Sequence, residues 1–439
     1  MRFVDVNGLA GGLSLGVARA GGQLVMRTGY LDLGAKIVRA NAQLFDGGDG
    51  AWDDAIMKTD DHMAWPVPDD TKVVMAVPPC SGFSALTGLG AAHGKVERVK
   101  VDHKSNDCMW HTIRYAARLK PEVVVFESVT GAYKVGRPLM QGLRDELERL
   151  TGLKYWLTHV LHDGVSLGGP ATRKRYLFIA SVHGPFAVAP SDEVTAATTM
   201  EEIIGDLQGL ENRPGLQPYV CEAETGWQTR ARHGVTEVDG MWAKTTNAWC
   251  RRTAAVLARA RAEKIDWLQG EEMADVLRRF DQKDVVDGHT RVTDVCGQEM
   301  GDRLRGREFA FGPFSIRRWQ MNRPGYVVTG GGPMYSVHPT EDRVLAYREL
   351  ARIMGYPDEF RIDLEAVRGE KLDAIWGKNV SVLVGEWVGK QTMAHLGGDV
   401  EGRETGMVLA DGDRESLIDE LDHGRKLMRP YRRKTPPPV

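Results

Sequence analysis

The residues best suited to covalent chemistry in this sequence follow short apolar runs. Cys80 ends the tripeptide Pro78-Pro79-Cys80 directly after the run 73–77, and Glu127 follows the run 123–126. A thiolate adds readily to an electron-poor carbon, and nearby positive charge stabilises it. A carboxyl group with a raised pKa can donate a proton. The pair therefore indicates nucleophilic catalysis, although most cysteines are buried structural residues and most glutamates lie at the surface.

Two arginines could provide the positive charge. Arg173 and Arg175 stand in Ala171-Thr-Arg-Lys-Arg175, just before a further apolar run. Side chains alternate along a strand, so both guanidinium groups are expected on one face and Lys174 on the other. Two guanidinium groups on one face can hold a phosphate or orient a carboxylate, and solvated surface charge is the open alternative.

A glycine-rich turn follows the first apolar run and is a candidate cofactor loop. Its residues of interest are Asp5, Asn7, Gly8, Leu9, Gly11 and Gly12. Glycines at a helix N-terminus allow the backbone to approach a ligand closely. The turn lacks the GxGxxG spacing, so a nucleoside-type cofactor and an ordinary tight turn both remain open.

These residues need a scaffold, and the first 185 positions have the alternation of strands and helices typical of a parallel α/β sheet. We predict strands over 2–7, 73–77, 123–126 and 176–182, and helices over 13–20, 110–119, 346–355 and 380–396. From about residue 184 to 323 the periodicity weakens, apart from a strongly helical piece over 248–264. The carboxyl ends of parallel strands share one edge of a sheet, so Cys80 and Glu127 should lie close together.

Composition limits the classes of protein. The chain has 439 residues, with 57 Lys+Arg against 60 Asp+Glu and a formal net charge of −3. This balance excludes indiscriminate polycation binding but conceals basic segments at 229–262, 301–325 and 423–439 and an acidic one at 46–70. The five cysteines have no CxxC spacing, which argues against a disulfide framework and a structural zinc site. No apolar stretch could span a membrane, so a soluble protein of the cytoplasm is expected.

The ordered set of motifs resembles the DNA cytosine-5 methyltransferase family. Pro79-Cys80 matches the family's nucleophile motif, Glu127-Ser-Val129 its Glu-Asn-Val motif, and 171–175 its Gln-x-Arg-x-Arg motif. The closing motifs follow in order: Thr329, His338-Pro339, Arg348-Glu349, Met354-Gly-Tyr-Pro357 and Gly377-Lys-Asn-Val380.

The resemblance implies a fold and a domain order. It implies an α/β, Rossmann-like S-adenosylmethionine-dependent methyltransferase sheet with a smaller target-recognition domain. The expected parts are a catalytic and cofactor domain over 1–183, target recognition over 184–320, a return to the catalytic domain over 321–396, and an extension over 397–439 with a basic, proline-rich tail.

The resemblance also implies residue roles. Cys80 would attack C6 of a cytosine flipped out of double-stranded DNA, Glu127 would bind the base, and Arg173 and Arg175 would position the base and Cys80. C5 would then take a methyl group from S-adenosylmethionine. The implied cofactor contacts are Asp5, Asn7, Gly8, Leu9, Gly11, Gly12, Asp32, Asp60, Asp61, Pro78, Lys378, Asn379 and Val380.

Departures from the family pattern raise a second interpretation of the transferred group. Asn7 replaces an aromatic residue, Gly29 an acidic one, and Lys378 stands where the closing motif is read to have asparagine. An ammonium about 4 Å from a sulfonium would repel it by roughly 1 to 4 kcal/mol. Lys378 would instead suit the carboxylate of carboxy-S-adenosylmethionine, giving 5-carboxymethylcytosine. The alternatives are a solvent-facing Lys378, or a motif shifted by one residue so that Asn379 is the asparagine.

The expected partner is double-stranded DNA, bound by a monomer in a prokaryotic or phage-infected cell. Predicted DNA contacts are Ser84, Lys244, Arg251, Arg252, Arg317 and Arg318. About 130 residues between the motif blocks favour DNA over RNA, since they leave room for groove-reading loops. A DNA-binding relative without catalysis is a further alternative, and roles in restriction-modification, bacteriophage DNA protection or regulation all stay open.

Overall fold

The computed structural model describes residues 1–29, 32–45, 53–56, 62–80, 82–83, 104–188, 198–207, 256–257, 260–273, 275–276, 279, 316–328, 336–342, 344–361, 373–399 and 404–405. Among the predicted site residues, Asp60, Asp61, Ser84, Lys244, Arg251 and Arg252 lie outside these ranges.

The first part of the chain supplies a sheet and its covering helices. In order, the elements are β1 (Arg2–Val6), α1 (Gly12–Arg19), β2 (Gln23–Gly29), α2 (Asp32–Arg39), β3 (Asp53–Ile56), β4 (Val73–Ala76), α3 (Asp107–Leu119), β5 (Val123–Val129), α4 (Thr130–Thr151), β6 (Trp156–His162), β7 (Arg175–Ser181) and β8 (Ala187–Val188).

The later elements are α5 (Met200–Ile204), β9 (Arg317–Arg318), β10 (Ser336–Val337), α6 (Tyr347–Ile353), α7 (Asp373–Lys378), α8 (Val382–Leu396) and β11 (Glu404–Thr405). Single 3₁₀ turns occur at Ala42–Leu44, His62–Ala64, Lys104–Asn106, Val165–Leu167 and Gly205–Leu207. Within the described residues, no helix is both long enough and apolar enough to cross a bilayer.

Seven of the described strands form one sheet in the order β3-β2-β1-β4-β5-β7-β6. Neighbouring strands from β3 to β5 pair in parallel, whereas β7 runs antiparallel to both β5 and β6. Strand β4 is buried at every position, which explains its uniformly apolar sequence. Since β1, β4 and β5 are parallel, their carboxyl ends share the edge at which Cys80 was predicted.

The two faces of the sheet are covered differently. On one face, Met109 and Ile113 of α3 and Leu139 and Leu143 of α4 join Phe126 of β5 in one buried apolar cluster. On the other, α8 is tied to β7 by a hydrogen bond of 2.8 Å between His395 Nε2 and Ser181 Oγ. The site is therefore built on a sheet that packs a large buried apolar cluster against one face.

Two predicted boundaries were wrong in ways that affect the site. Strand β5 continues to Val129, so Glu127 lies inside the strand instead of after it. Strand β7 begins at Arg175, so Arg173 lies in the preceding loop and the alternation argument does not apply to it. The predicted helix over 248–264 falls mostly outside the described residues.

The chain divides into two compact units. The first comprises 1–197, 354–356 and 379–439, and the second 198–353 and 357–378. In the second unit, Arg352 pairs with Asp206 and Asp358 at 2.6 Å each, which ties α6 to the residues that follow α5 and to the turn after α6. The assignment of 184–320 to target recognition stays a prediction.

Candidate active site

The cysteine, the glutamate and one arginine meet at the edge of the first unit. Cys80 is half-buried in the turn after β4, where its carbonyl accepts a hydrogen bond of 2.9 Å from the Phe83 N–H. Glu127 is 5% exposed. Arg175 Nε lies 3.2 Å from Glu127 Oε1. Val129 is the β5 residue opposite Arg175, so Glu127, two positions earlier, is on the same face as Arg175.

The charges of this cluster act on one another. Burial raises the pKa of Glu127, while Arg175 and Arg173 oppose that rise. Burial and then the Glu127 charge raise the pKa of Cys80, again against both arginines. The expected raised pKa of the carboxyl group is thus present. The expected net activation of the thiol is not, because burial and Glu127 outweigh the arginines when no base is bound.

Arg173 reaches the cluster from a loop fixed by Asp163. The Arg173 backbone N–H donates to Asp163 Oδ1 at 2.7 Å, and the Val165 N–H donates to the same oxygen at 3.3 Å. Arg173 is buried, and its Nη2 donates to the carbonyl oxygen of Asn379. Burial and repulsion from Arg175 lower the pKa of Arg173 to about 9, so it still carries its charge at neutral pH.

The glycines of the predicted cofactor loop let the loop pack against its own chain. A Cβ at Gly8 would lie 1.8 Å from Asp5 Oδ2, and one at Gly12 would lie 2.0 Å from the Val380 oxygen. Gly11 precedes α1 with φ of 77°, which favours glycine. Arg27 of β2 also contacts the loop, since its Nη2 donates a hydrogen bond to the Leu9 carbonyl oxygen at 2.6 Å.

Asn7 gives the loop a buried polar group. It is buried with φ of 65°, and its Nδ2 lies 3.2 Å from Cys108 Sγ. Its Oδ1 is buried without a hydrogen-bond partner among the described residues. A buried acceptor without a partner among the described residues, beside the carboxyl end of β1, fits a cofactor that carries donor groups, as S-adenosylmethionine does.

Asn379 of the closing motif faces this loop. Asn379 is 1% exposed, its Oδ1 accepts from the Gly12 N–H at 3.4 Å, and its Nδ2 donates to the Tyr356 hydroxyl oxygen. Tyr356 in turn donates to the Ala10 oxygen at 3.3 Å. Lys378, at the end of α7, is exposed. Of the alternatives left open by the sequence, this geometry supports the motif shifted by one residue.

The two described arginines predicted to contact DNA differ. Arg317 pairs with Glu272, and its guanidinium carbon lies 4.6 Å from the centre of the Tyr326 ring. Arg318 is buried and donates to the His338 and Glu341 carbonyl oxygens and to Asp342. Because these hydrogen bonds engage the Arg318 guanidinium within the second unit, we retain only Arg317 as a proposed phosphate contact. Asp32, an implied cofactor contact, is the first residue of α2.

Three residues that position the site were not predicted from the sequence as site residues. Asp163 fixes the loop before β7, Arg27 holds the cofactor loop, and the Tyr356 hydroxyl joins that loop to Asn379. Only Tyr356 had a signal, because it stands in a recognised closing motif. Nothing in the sequence near Arg27 or Asp163 connects them to residues that are distant along the chain.

Strand order and site together define the class of protein. All seven strands of the sheet run in the same direction except β7, and a glycine-rich turn lies between β1 and α1. These features define an α/β, Rossmann-like S-adenosylmethionine-dependent methyltransferase sheet. A family model described as C-5 cytosine-specific DNA methylase matches residues 1–394, and the chain belongs to this family.

Similar proteins include two curated bacterial enzymes. Type II methyltransferase M.XorII of Xanthomonas oryzae pv. oryzae is 26% identical over 432 residues, covering 94% of this chain and 89% of its own. Type II methyltransferase M.DdeI of Desulfomicrobium norvegicum is 23% identical over 321 residues, covering 71% and 68%. Among solved structures, the Entamoeba histolytica methyltransferase EhMeth is 10% identical, with a TM-score of 0.49 and coverage of 91% and 99%.

Proposed function

We propose that this chain transfers a methyl group from S-adenosylmethionine to C5 of a cytosine in double-stranded DNA. The observation that carries the proposal is the cluster of Cys80, Glu127, Arg173 and Arg175, whose charges act on one another at the carboxyl edge of the sheet. Membership of the cytosine-5 DNA methylase family gives the reaction class.

The chemistry follows from the electron-poor C6 of cytosine. The target base is extruded from the duplex because its faces are stacked there. The Cys80 thiolate adds to C6, which moves electron density to C5 and makes that carbon nucleophilic. C5 then accepts the methyl group. Loss of the C5 proton and departure of Cys80 restore the double bond between C5 and C6.

Glu127 links base binding to activation of the thiol. Before the base enters, the carboxylate is paired with Arg175 and holds the pKa of Cys80 up. Once Glu127 hydrogen-bonds N3 and the exocyclic amine of the base, its charge is shared with the substrate. Arg173 and Arg175 then favour the thiolate without that opposition, so the nucleophile forms when its target is in place.

The β1–α1 loop is proposed to hold the cofactor. Asn7 offers an acceptor, and Pro78 borders the same strand edge. Asp32, Asp60 and Asp61 are proposed for the adenosine side. When bound, S-adenosylmethionine supplies an electrophilic methyl group on a sulfonium. The protein's part is to orient that group toward C5 and to exclude water.

Methyl transfer is proposed over carboxymethyl transfer because of Asn379. The second interpretation rested on a lysine at the asparagine position of the closing motif. In the structure Asn379 bonds the Gly12 N–H, as the motif's asparagine would, and the Lys378 side chain is exposed. The deciding experiment below therefore includes carboxy-S-adenosylmethionine as a second cofactor.

Catalysis on DNA is proposed over the two remaining alternatives. A DNA-binding relative without activity would not need Cys80, Glu127 and both arginines, and all four are present. The curated relatives are named as Type II methyltransferases, which supports a DNA substrate and a restriction-modification role in the bacterial cytoplasm. We propose further that the protein acts as a monomer and that a phage could carry the same activity.

The deciding experiment is the mass of the modified nucleoside. Unmethylated DNA is incubated with enzyme and S-adenosylmethionine or carboxy-S-adenosylmethionine, then digested and analysed by mass spectrometry. We expect 5-methyl-2′-deoxycytidine with the wild type and none with Cys80→Ala. Product from carboxy-S-adenosylmethionine alone, a methyl group on another atom, or product from Cys80→Ala would each overturn the proposal.

A further inference from the structure

A histidine next to the catalytic arginines has no role in the mechanism above. His162 ends β6 and is 4% exposed. Both of its ring nitrogens are buried without a hydrogen-bond partner among the described residues. Its ring centre lies 6.2 Å from that of Trp387 in α8. Burying an imidazole with neither nitrogen satisfied costs free energy, so packing alone does not account for this residue type.

The strand register places His162 beside Arg175. The two residues are direct partners in the antiparallel pairing of β6 with β7, and Val129 of β5 is the partner of Arg175 on its other side. Opposed residues in such a pair project to the same face. On that face, Arg175 of β7 therefore lies between β5, which carries Glu127, and His162 of β6.

The environment keeps His162 uncharged. Burial, followed by the charges of Arg175 and Arg173, lowers its pKa to about 3. A neutral imidazole can accept a hydrogen bond from a guanidinium and adds no charge to the site. A carboxylate at this position would add to the Glu127 charge that opposes the Cys80 thiolate, and a lysine would repel both arginines.

We propose that His162 is a positioning residue that accepts a hydrogen bond from Arg175 when Glu127 turns to the target base. In the structure Arg175 is held by Glu127 and by the Lys174 carbonyl oxygen at 2.7 Å. Base binding engages Glu127, so Arg175 loses its charged partner at the step in which it must favour the Cys80 thiolate. His162 supplies the second anchor. This inference rests on the proposed function.

The test uses the full-length enzyme, S-adenosylmethionine, and duplex DNA synthesised with 5-fluorocytosine in place of cytosine. Fluorine at C5 cannot leave as a proton does, so after Cys80 addition and methyl transfer the enzyme stays bound to the DNA. The rate at which a denaturant-resistant complex forms is measured for wild type, His162→Phe, His162→Leu, His162→Asn and His162→Gln. No knowledge of the target sequence is needed, because every cytosine carries the fluorine.

The apolar variants keep packing and lose the acceptor, whereas the amide variants keep an acceptor. We expect His162→Phe and His162→Leu to form the complex about 10- to 100-fold more slowly, since a misplaced catalytic group costs factors of this size. Their rate profile should also move to higher pH, because a loosened Arg175 lowers the Cys80 pKa less. His162→Asn or His162→Gln should restore most of the rate and the wild-type profile.

The outcomes separate this inference from the proposed function. Without a complex from the wild type, the proposed function itself fails. If the wild type forms the complex and the apolar variants match its rate and pH profile, His162 is not a positioning residue. The same conclusion follows if all four variants are equally slow while their melting temperatures and S-adenosylmethionine binding are unchanged.

Discussion

At the residue scale, the site depends on opposition between one carboxylate and two guanidinium groups over a single thiol. Glu127 raises the pKa of Cys80, and Arg175 and Arg173 lower it. The sequence predicted which residue types would meet, because each stands next to an apolar run. It did not show the balance, since burial is the largest contribution to the pKa shifts of both Cys80 and Glu127 and depends on the packed structure.

Substitution of Glu127 should therefore affect the thiol and the catalytic rate in opposite directions. In Glu127→Gln, we expect the Cys80 pKa to fall, so alkylation by a neutral reagent reaches half its maximal rate at a lower pH. Methyl transfer should fall by about 10²- to 10⁴-fold, as for loss of a general acid. Arg175→Gln should move the alkylation midpoint to higher pH. Peptide mapping distinguishes Cys80 from the other four cysteines, and an unchanged midpoint in both variants would contradict the coupling.

Alanine substitutions at Asn379 and Lys378 test which of the two residues serves as the asparagine of the closing motif. Asn379→Ala removes buried hydrogen bonds to Gly12 and Tyr356, so we expect a loss of about 1–3 kcal/mol in stability and weaker cofactor binding. Lys378→Ala changes an exposed side chain and should alter stability by less than about 0.5 kcal/mol. Denaturant unfolding and calorimetric titration with S-adenosylmethionine measure both. Loss of cofactor binding in Lys378→Ala, with Asn379→Ala unaffected, would instead indicate that Lys378 occupies the asparagine position of the closing motif.

At the element scale, α1 and α8 meet backbone to backbone beside the proposed cofactor loop. A Cβ on Gly16 would lie 2.1 Å from the Val382 oxygen, and one on Gly385 would lie 2.4 Å from the Leu13 oxygen. The predicted helices over 13–20 and 380–396 were confirmed to within about two residues. Their contact was not predicted, because it joins segments more than 350 residues apart and its only signal is small residues.

Enlarging one of these glycines should separate the helices. We expect Gly385→Ala to destabilise the protein by about 1–3 kcal/mol or more, because the atoms it would meet are backbone and cannot move aside. Lys390→Ala, on the exposed side of the same helix, removes only an ion pair with Glu386 and should cost less than about 0.5 kcal/mol. Equal midpoints of urea unfolding for the two variants would contradict the close packing.

Strand prediction succeeded where burial is uniform and failed where it is not. Strands β1, β4, β5 and β7 are largely buried and apolar, and the sequence indicated all four. Strand β6 was missed because it mixes exposed Trp156 with polar Thr158 and His159, although all three are ordered by pairing with β7. Strand β2 contains Arg27, a buried charge that apolar patterns cannot anticipate.

At the scale of the whole molecule, the net charge of −3 averages basic segments against acidic ones. The basic segments at 229–262 and 423–439 lie outside the described residues almost entirely, so the proposed DNA surface is represented in the structure by Arg317. Its guanidinium stacks on Tyr326 and pairs with Glu272, which holds it in one orientation. Which bases are read depends on side chains that motifs do not identify.

A phosphate contact at Arg317 has a defined salt signature. In Arg317→Ala, DNA affinity should fall similarly for all sequences, and the slope of log affinity against log salt should lose about 0.9. Arg149→Ala, an exposed arginine on α4, serves as the control and should leave the slope unchanged. A changed sequence preference with the same slope would instead indicate that Arg317 reads a base.

The most direct test of the central claim is the identity of the residue joined to DNA. Enzyme, S-adenosylmethionine and duplex DNA containing 5-fluorocytosine are combined, the complex is digested with protease and nuclease, and the cross-linked peptide is sequenced by mass spectrometry. We expect a methylated fluorocytosine joined through C6 to the sulfur of Cys80. Attachment at another residue, or formation of 5-methylcytosine in ordinary DNA without any cross-link in fluorinated DNA, would contradict it.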